Sequence, residues 1–391
     1  MYDRLKACFE EQFGCKAEYV FSAPGRTELS GNHTDHQLGC VLAAAVNREA
    51  LAAVAENGTM MVRLLSEGYP LCEIDLDDMR VHPEEEGKTS ALIRGVAAKF
   101  VPYGLKGFNA YVTSTVLSGS GLSSSAAFEV LMGTIFNHLC QAGKDAVEIA
   151  QIGQYAENVY FGKPCGLMDQ MASSVGNIIG IDFADPAKPV VIPIPFDFEK
   201  SGYSLCVIDS GASHADLTDE YAAITQELKT VCSVFGKDHL RQIPEEDFYA
   251  QITQVRQVAG DRAVLRAIHV YEENRRVEKQ RQALLSNDFD TFLHYVTLSG
   301  LSSWRYLQNV IPAGRKEAQE VAFSLAIAEK LLGGRGACRV HGGGFAGTIQ
   351  AFVPNDMLED FRAGVEAALG AGSCHVMVIR KEGGVLLEDC R

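Results

Sequence analysis

The amino-acid sequence predicts an α+β protein made of two halves. Its 391 residues are 47% hydrophobic, which supplies an ample core for two domains or for one large composite unit. Strand-like and helix-like patterns follow one another without the regular alternation that is typical of a parallel βα fold. A proline-rich segment at 185–200 is the best candidate for a junction. We therefore expect an N-terminal half over 1–185 and a C-terminal half over 200–391.

Hydrophobic periodicity predicts the elements of each half. Period-two and β-branched runs indicate strands, and apolar residues that recur at helical spacing indicate helices. Strands are expected at 17–22, 60–65, 109–116, 178–183, 190–194 and 204–208, with later ones at 348–353 and 376–379. Helices are expected at 89–100, 123–140, 146–161 and 167–175, followed by a mostly helical stretch over 216–330.

Composition narrows the class of function. The formal net charge of −15 argues against a nucleic-acid or anionic-membrane partner, because both require a basic face. No apolar run approaches the roughly 20 residues of a membrane span, and residues 1–14 look like a short amphipathic helix rather than a signal peptide. The eleven cysteines include no C-x-x-C pair, which favours a reducing compartment. We expect a soluble, cytoplasmic protein with small-molecule partners; the sequence does not specify its oligomeric state.

The segment VLSGSGLSSSAAFE, residues 116–129, has the pattern of a phosphate-binding loop. Gly119 and Gly121 let the backbone turn closely around a ligand. Three serines then present N–H and O–H donors at a helix N-terminus, where the helix dipole favours anions. The residues expected to bind the phosphates are Gly119, Ser120, Gly121, Leu122, Ser123, Ser124, Ser125 and Ala126. The spelling matches neither G-x-x-x-x-G-K-[ST] nor G-x-G-x-x-G. Taken alone, the segment is also compatible with a surface linker.

A second cluster, APGRTELSGNHTDHQLG at 23–39, places Arg26 after a Pro-Gly turn. Its density of polar residues and turn glycines predicts a ligand loop rather than a core element. His33, Asp35 and His36 are compatible with a metal site or with hydrogen bonding to a polyol. We favour the polyol, because transition-metal ligands usually come from better separated positions.

Two further clusters lie later in the chain. Glu157 and Asp169, twelve residues apart across a turn, suit a site in which one carboxylate holds Mg²⁺ and the other accepts a proton. The alternative is a solvated glutamate and an aspartate that merely starts a helix. At 335–352, three glycines precede Phe345. They form either a tight turn or a second glycine loop that closes on phosphate or substrate.

Taken in order, these segments resemble the GHMP small-molecule kinases, and within them the galactokinase family. APGRTELSGNHTDHQLG lines up with A-P-G-R-V-N-L-I-G-E-H-T-D-Y-x-G-G, SGSGLSSSAAFEV with G-G-G-L-S-S-S-A, and VHGGGFAG with G-A-G-F-G-G. KPCGLMDQMASSVG is similar to the stretch around that family's catalytic base. The resemblance implies the GHMP kinase fold: an N-terminal α+β half with a left-handed βαβ unit, a ferredoxin-like C-terminal half, and the active site between them.

The resemblance also implies an activity, the phosphorylation of galactose at its anomeric hydroxyl by ATP with Mg²⁺. It implies that Asp169 is the base and Arg26 its partner, and that Ser125 and Glu157 hold the metal. The sugar would be bound by Asn32, His33, Asp35 and Tyr221. Asn32 replaces the family's glutamate, so another acceptor such as N-acetylgalactosamine is an alternative substrate. A non-catalytic galactose sensor is the alternative function.

Overall fold

Two β-sheets with helices packed on them form the part of the chain that the computed structural model describes, residues 2–116, 122–213 and 217–391. The strands are β1 Tyr19–Ser30, β2 Cys40–Glu56, β3 Met61–Ser66, β4 Cys72–Asp75, β5 Phe108–Ser114, β6 Ile178–Asp182, β7 Val190–Ile194, β8 Tyr203–Asp209, β9 Ala337–Val340, β10 Thr348–Pro354, β11 Cys374–Met377 and β12 Val385–Asp389. The helices are α1 Tyr2–Phe13, α2 Thr89–Ala98, α3 Ser124–Leu139, α4 Ala146–Tyr155, α5 Met168–Val175, α6 Thr218–Ser233, α7 Glu245–Ala250, α8 Ile252–Ala259, α9 Asp261–Leu285, α10 Phe289–Ser302, α11 Glu320–Leu332 and α12 Leu358–Leu369.

The larger sheet is organised around the long strand β2. Its order is β12-β1-β2-β5-β3-β4, and β6 and β7 extend it from a second part of β2. One edge of β2 pairs with β1, while its other edge is shared between β6 at 40–44 and β5 at 50–56. The far end of the chain returns to this sheet, because β12 pairs with β1. The last strand of the chain therefore lies in the sheet of the N-terminal half. The division of the chain into two halves at 185–200 stays a prediction.

The smaller sheet has the order β11-β8-β10-β9 with every neighbouring pair antiparallel. Helices connect β8 to β9, and α12 connects β10 to β11, which is the order of a ferredoxin-like βαββαβ sheet. Side chains from α11 and α12, such as Val321 and Phe361, pack with the sheet residues Ile208 and Ile349 in one apolar cluster. This cluster gives the sheet a core of its own.

The long helix α9 supports the loop that follows β1. Glu273 Oε1 accepts a hydrogen bond from the amide of Gly31 at 3.2 Å. Asn274 Oδ1 accepts one from the amide of Cys40 at 2.8 Å. Both ends of the segment 31–40 are therefore held by one rigid element. No helix within the described ranges is long and apolar enough to cross a membrane.

Most predicted elements around the site are confirmed. Helices α2, α3 and α5 lie where the periodicity places them, and the predicted helix at 146–161 is α4 followed by a π-helical turn over 156–161. The prediction that all of 23–39 is a ligand loop was wrong, because residues 23–30 continue β1 and every residue of that strand is buried. Their polar side chains have buried partners, as in the ion pair of Glu28 with Arg339.

Candidate active site

Arg26 and Asp169 form a bidentate ion pair at the centre of the site. Arg26 comes from β1 and Asp169 from the first turn of α5. Arg26 Nε donates to Asp169 Oδ1 and Nη2 donates to Oδ2, each at 2.7 Å. The Arg26 side chain is 9% exposed and that of Asp169 is 29% exposed. Two parallel hydrogen bonds fix the plane of the carboxylate, and its open side faces solvent.

The surroundings of Asp169 keep its carboxylate ionised. Burial alone would raise its pKa, but the charge and hydrogen bonds of Arg26, together with the Ser123 hydroxyl, outweigh burial and hold the pKa below its ordinary value. Ser123 Oγ donates to Asp169 Oδ2 at 2.6 Å. At neutral pH Asp169 therefore offers only acceptor oxygens, as a proton acceptor must.

The start of α3 is bonded directly to the ion pair. Ser123 stands just before the helix with a left-handed φ of 56°, and this conformation turns its hydroxyl toward Asp169. The carbonyl of Leu122 accepts a hydrogen bond from the amide of Arg26 at 3.1 Å. Ala126 is fully buried in the first turn. The helix N-terminus therefore meets the Asp169 carboxylate, in the arrangement that an anion bound beside it would need.

A cavity of about 600 Å³ opens beside this helix start. Ser124 and Ser125 line it together with the apolar side chains of Val116, Phe128 and Phe161. A concave site of this size with a mixed lining suits a small-molecule ligand. The remaining predicted phosphate-binding residues, Gly119, Ser120 and Gly121, lie outside the residues that the structure describes.

Glu157 lies on the π-helical turn after α4 and is only 3% exposed. Its Oε1 accepts hydrogen bonds from Ser125 Oγ at 3.3 Å and from Lys163 Nζ at 3.2 Å. Its Oε2 accepts one from Gln170 Nε2 at 2.9 Å. A hydroxyl and a carboxylate are hard oxygen donors, and Mg²⁺ characteristically takes only one or two protein ligands beside phosphate oxygens. The donor set of Ser125 and Glu157 therefore fits Mg²⁺.

Three residues of this network, Lys163, Gln170 and Glu129, were not predicted. Gln170 Nε2 also donates to Glu129 Oε2 at 2.9 Å, so one amide joins two buried carboxylates. Burial, and then the charge of Glu157, raises the pKa of Glu129 well above its ordinary value. The sequence carried a signal for it, because Glu129 interrupts an apolar helix one turn after Ser125 and falls on the buried face.

Groups from the segment after β1 complete the site. Burial, with a contribution from the charge of Asp169, raises the pKa of Asp35, while the charge of His33 opposes that rise. A side chain at Gly166 would collide with Asp35 Oδ2, so a larger residue in the loop before α5 would displace this carboxylate. His33 Nε2 donates to the carbonyl of Gly343 at 2.9 Å. Among the described residues, no three or more His, Cys, Asp or Glu side chains converge as a metal site.

The structure corrects the expected position of Asn32. This residue is fully buried, and its side-chain amide is bonded within the protein. Its Nδ2 donates to the carbonyl of Gly342 at 2.5 Å and to Glu28 Oε1 at 3.3 Å. Its Oδ1 accepts from Asn309 Nδ2 at 2.8 Å. Asn32 therefore joins β1 to the glycine turn at 342–344 and presents no polar group to the site opening.

Tyr221 supports the same glycine turn. Its hydroxyl donates to the carbonyl of Gly344 at 2.6 Å, and its ring packs edge-on against Phe345 with 5.5 Å between centroids. A Cβ at Gly343 would lie 2.7 Å from Tyr221 Cε1, so the turn needs glycine there. The predicted contact of Tyr221 with a sugar stays a prediction. The third glycine motif and the segment after β1 do meet, through the bond of His33 to Gly343.

Two family models match the chain. The GHMP kinases N terminal domain matches residues 91–177, which include the start of α3, Glu157 and Asp169. The Galactokinase galactose-binding signature matches residues 7–56, which include Arg26 and the segment after β1. Fold and site together define a GHMP kinase.

Curated relatives identify the family within this class. A galactokinase of Glaesserella parasuis is 32% identical over 359 residues, with 90% of each chain covered. A galactokinase of Streptomyces coelicolor is 32% identical over 370 residues, covering 93% of this chain and 92% of that one. The chain belongs to the galactokinase family. The crystal structure of Lactococcus lactis galactokinase complexed with galactose matches with a TM-score of 0.82 at 26% identity, covering 99% of this chain and all of that one.

Proposed function

We propose that this chain transfers the terminal phosphoryl group of ATP to the anomeric hydroxyl of galactose, with Asp169 as the general base. The observation that carries the proposal is the ionised Asp169, fixed by Arg26 and by Ser123, the residue directly before the two serines that line a cavity of about 600 Å³. The relatives named galactokinase, and the solved relative with bound galactose, support the choice of acceptor.

Asp169 supplies the step that the sugar cannot make alone. An anomeric hydroxyl is a weak nucleophile at neutral pH, so a carboxylate within hydrogen-bond reach takes its proton as the bond to phosphorus forms. Because Arg26 lowers the basicity of Asp169, the proton moves late, when bond formation has already made the hydroxyl acidic. The guanidinium of Arg26 also offsets charge on the transferring group, which is where most of the catalysis of phosphoryl transfer lies.

The nucleotide is assigned to the cavity and to the start of α3. The apolar lining suits a purine base, while Ser124 and Ser125 place donors at the N-terminus of α3 for the phosphates. Ser125 and Glu157 would hold Mg²⁺, which when bound neutralises phosphate charge. Gln170 holds Glu157 from its buried side, so the second carboxylate oxygen stays directed at Ser125.

The acceptor is assigned to the side of Asp169 that faces the segment after β1. Asp35 offers carboxylate oxygens suited to sugar hydroxyls, whereas both ring nitrogens of His33 already have partners, the carbonyl of Gly343 and His36 Nε2. The close approach of Gly166 to Asp35 places the loop that precedes α5, the helix of Asp169, next to the sugar side. Tyr221 acts on this side through the glycine turn that it supports.

A sugar panel tests the proposal. ADP release is measured with galactose, N-acetylgalactosamine, glucose and mannose, each with Mg-ATP, and with no sugar as the blank. Galactose should give the highest kcat/KM. The variant Asp35→Asn should raise the KM for galactose about 10- to 100-fold, the value of a charge-assisted hydrogen bond, and change the KM for ATP far less. A higher kcat/KM for N-acetylgalactosamine would identify that sugar, and not galactose, as the acceptor. Sugar binding without ADP release would identify a sensor.

A further inference from the structure

Lys163 contacts Glu157 twice. The π-helical turn ends at Gly162, whose φ of 80° reverses the chain. The amide of Lys163 then donates to the carbonyl of Glu157 at 3.1 Å, and its Nζ donates to Glu157 Oε1 at 3.2 Å. The turn therefore fixes the base of the Lys163 side chain and leaves its ammonium on the same carboxylate oxygen that accepts from Ser125.

The two partners of this ion pair differ in exposure. The Glu157 side chain is 3% exposed, whereas that of Lys163 is 64% exposed. Ser125 lines the cavity, and so does Phe161, which precedes Lys163 by two residues. The ammonium therefore lies on the open side of a buried carboxylate, at the edge of the site assigned to the nucleotide. A lysine side chain has four rotatable carbons, so it can leave this position without movement of the backbone.

Charge gives a reason for such a movement. Glu157 and Asp169 bring two carboxylates to this region, in a chain whose formal net charge is −15. A nucleotide triphosphate adds further negative charge, so its binding depends on local cations. A metal ion and an ammonium cannot both occupy one face of a single carboxylate oxygen, because like charges at contact distance repel.

We propose that Lys163 is a phosphate-binding residue of the nucleotide site: its ammonium pairs with Glu157 in the free protein and turns onto the phosphate chain when Mg-nucleotide binds. The inference rests on the proposed function, since it takes the ligand of the cavity to be ATP. It assigns to Lys163 a role beyond that of a surface ion pair. A Lys163 that only neutralises Glu157 is the competing explanation.

A double-mutant cycle separates a phosphate contact from neutralisation of Glu157. In Lys163→Met the buried carboxylate also loses its partner, so weaker ATP binding could arise from repulsion alone. In the Glu157→Gln background that carboxylate is neutral, and the repulsion is gone. A direct phosphate contact predicts that Lys163→Met still weakens ATP in this background. Pure neutralisation predicts that it does not.

The measurement is calorimetric titration of ATP and of adenosine into the protein without sugar, so that no transfer occurs, in Mg²⁺ and in EDTA. Lys106→Met is the matched control, because Lys106 Nζ lies 3.1 Å from Glu56 Oε1, its side chain is 48% exposed, and it precedes the end of β5 that is remote from the cavity. Lys163→Met should weaken ATP binding about 10-fold in Mg²⁺, where the ammonium has left Glu157, and about 3-fold in EDTA, with adenosine binding and the control variant unchanged.

Each outcome of the titration bears either on the role of Lys163 or on the proposed function. If ATP binds Lys163→Met as tightly as wild type, or if the loss disappears in the Glu157→Gln background, Lys163 does not contact phosphate. If wild-type protein binds no ATP under either condition, it is the proposed function that fails, whatever Lys163 does. If adenosine weakens together with ATP, the lysine acts through the shape of the cavity and the inference is overturned.

Discussion

Replacement of Asp169 by asparagine should remove most of the turnover while leaving nucleotide binding intact. The amide keeps the shape of the carboxylate but cannot accept a proton, and general-base catalysis contributes about 10²- to 10⁴-fold. We therefore expect kcat to fall by at least about 100-fold, or about 2.7 kcal/mol of transition-state free energy. The KM for ATP should change little, because the cavity beside α3 is untouched.

The same variant carries a predictable cost in stability. Three donors face the Asp169 carboxylate: Arg26 Nε, Arg26 Nη2 and Ser123 Oγ. An asparagine oxygen in the place of Oδ2 keeps two of them, and its NH₂ group then faces Arg26 Nε. Loss of one charge-assisted hydrogen bond costs about 1.5–3 kcal/mol. With an unfolding entropy of about 2.1 cal/mol/K per residue, the Tm of this chain should fall by about 2–4 °C.

Steady-state kinetics with galactose and Mg-ATP, together with calorimetric unfolding, measure both effects. Ser123→Ala is the control, because it removes one hydrogen bond of an uncharged donor from the same carboxylate and leaves Asp169 in place. Its kcat should fall by less than about 10-fold. An Asp169→Asn protein with kcat within a few-fold of wild type would take Asp169 out of the mechanism, since no other role of the residue depends on its accepting a proton.

Three further substitutions test the rest of the site. Glu157→Gln should shift the Mg²⁺ titration of activity to higher concentration, because a neutral amide oxygen binds Mg²⁺ less strongly than a carboxylate; an unchanged titration would reassign Glu157. Asn32→Glu should lower the free energy of unfolding by about 2 kcal/mol or more, because it buries a carboxylate beside Glu28. A stable variant with a lower KM for galactose would show instead that residue 32 contacts the sugar. Gly166→Ala should raise the KM for galactose more than that for ATP by displacing Asp35, and equal KM values in variant and wild type would exclude that contact from sugar binding.

The elements that pack around the site were largely predictable, because their apolar periodicity is local. Strand β1 shows where this fails: its second half is polar in sequence yet fully buried. The polarity of Glu28 is satisfied by Arg339, a residue 311 positions away that periodicity cannot pair with it. Strand β12 is short and largely exposed, so its identity as a strand depends on pairing with β1 rather than on its own pattern.

In the site, too, features that local motifs carry were predictable, whereas contacts with distant segments of the chain were not. The family resemblance implied that Arg26 is the partner of Asp169 and that Ser125 and Glu157 share a metal; in the structure the members of each pair are hydrogen-bonded, while their roles stay predictions. The resemblance also placed Asn32 on the sugar, because that residue stands within a family signature. In the structure its side-chain amide is enclosed by Asn309 and the glycine turn at 342–344, which lie much later in the chain. A burial pattern that arises from distant segments is set by the fold, and no local motif encodes it.

The role of Asp169 is tested most directly by the identity of the product that the wild-type protein forms from galactose and Mg-ATP. Carbon and phosphorus NMR of the reaction mixture locates the phosphate on the sugar. We expect phosphorus coupling at the anomeric carbon, with the sugar phosphate stoichiometric with ADP, and none of this product from Asp169→Asn on the same timescale. Phosphate at another carbon, or ADP released without a sugar phosphate, would contradict the claim that Asp169 activates the anomeric hydroxyl.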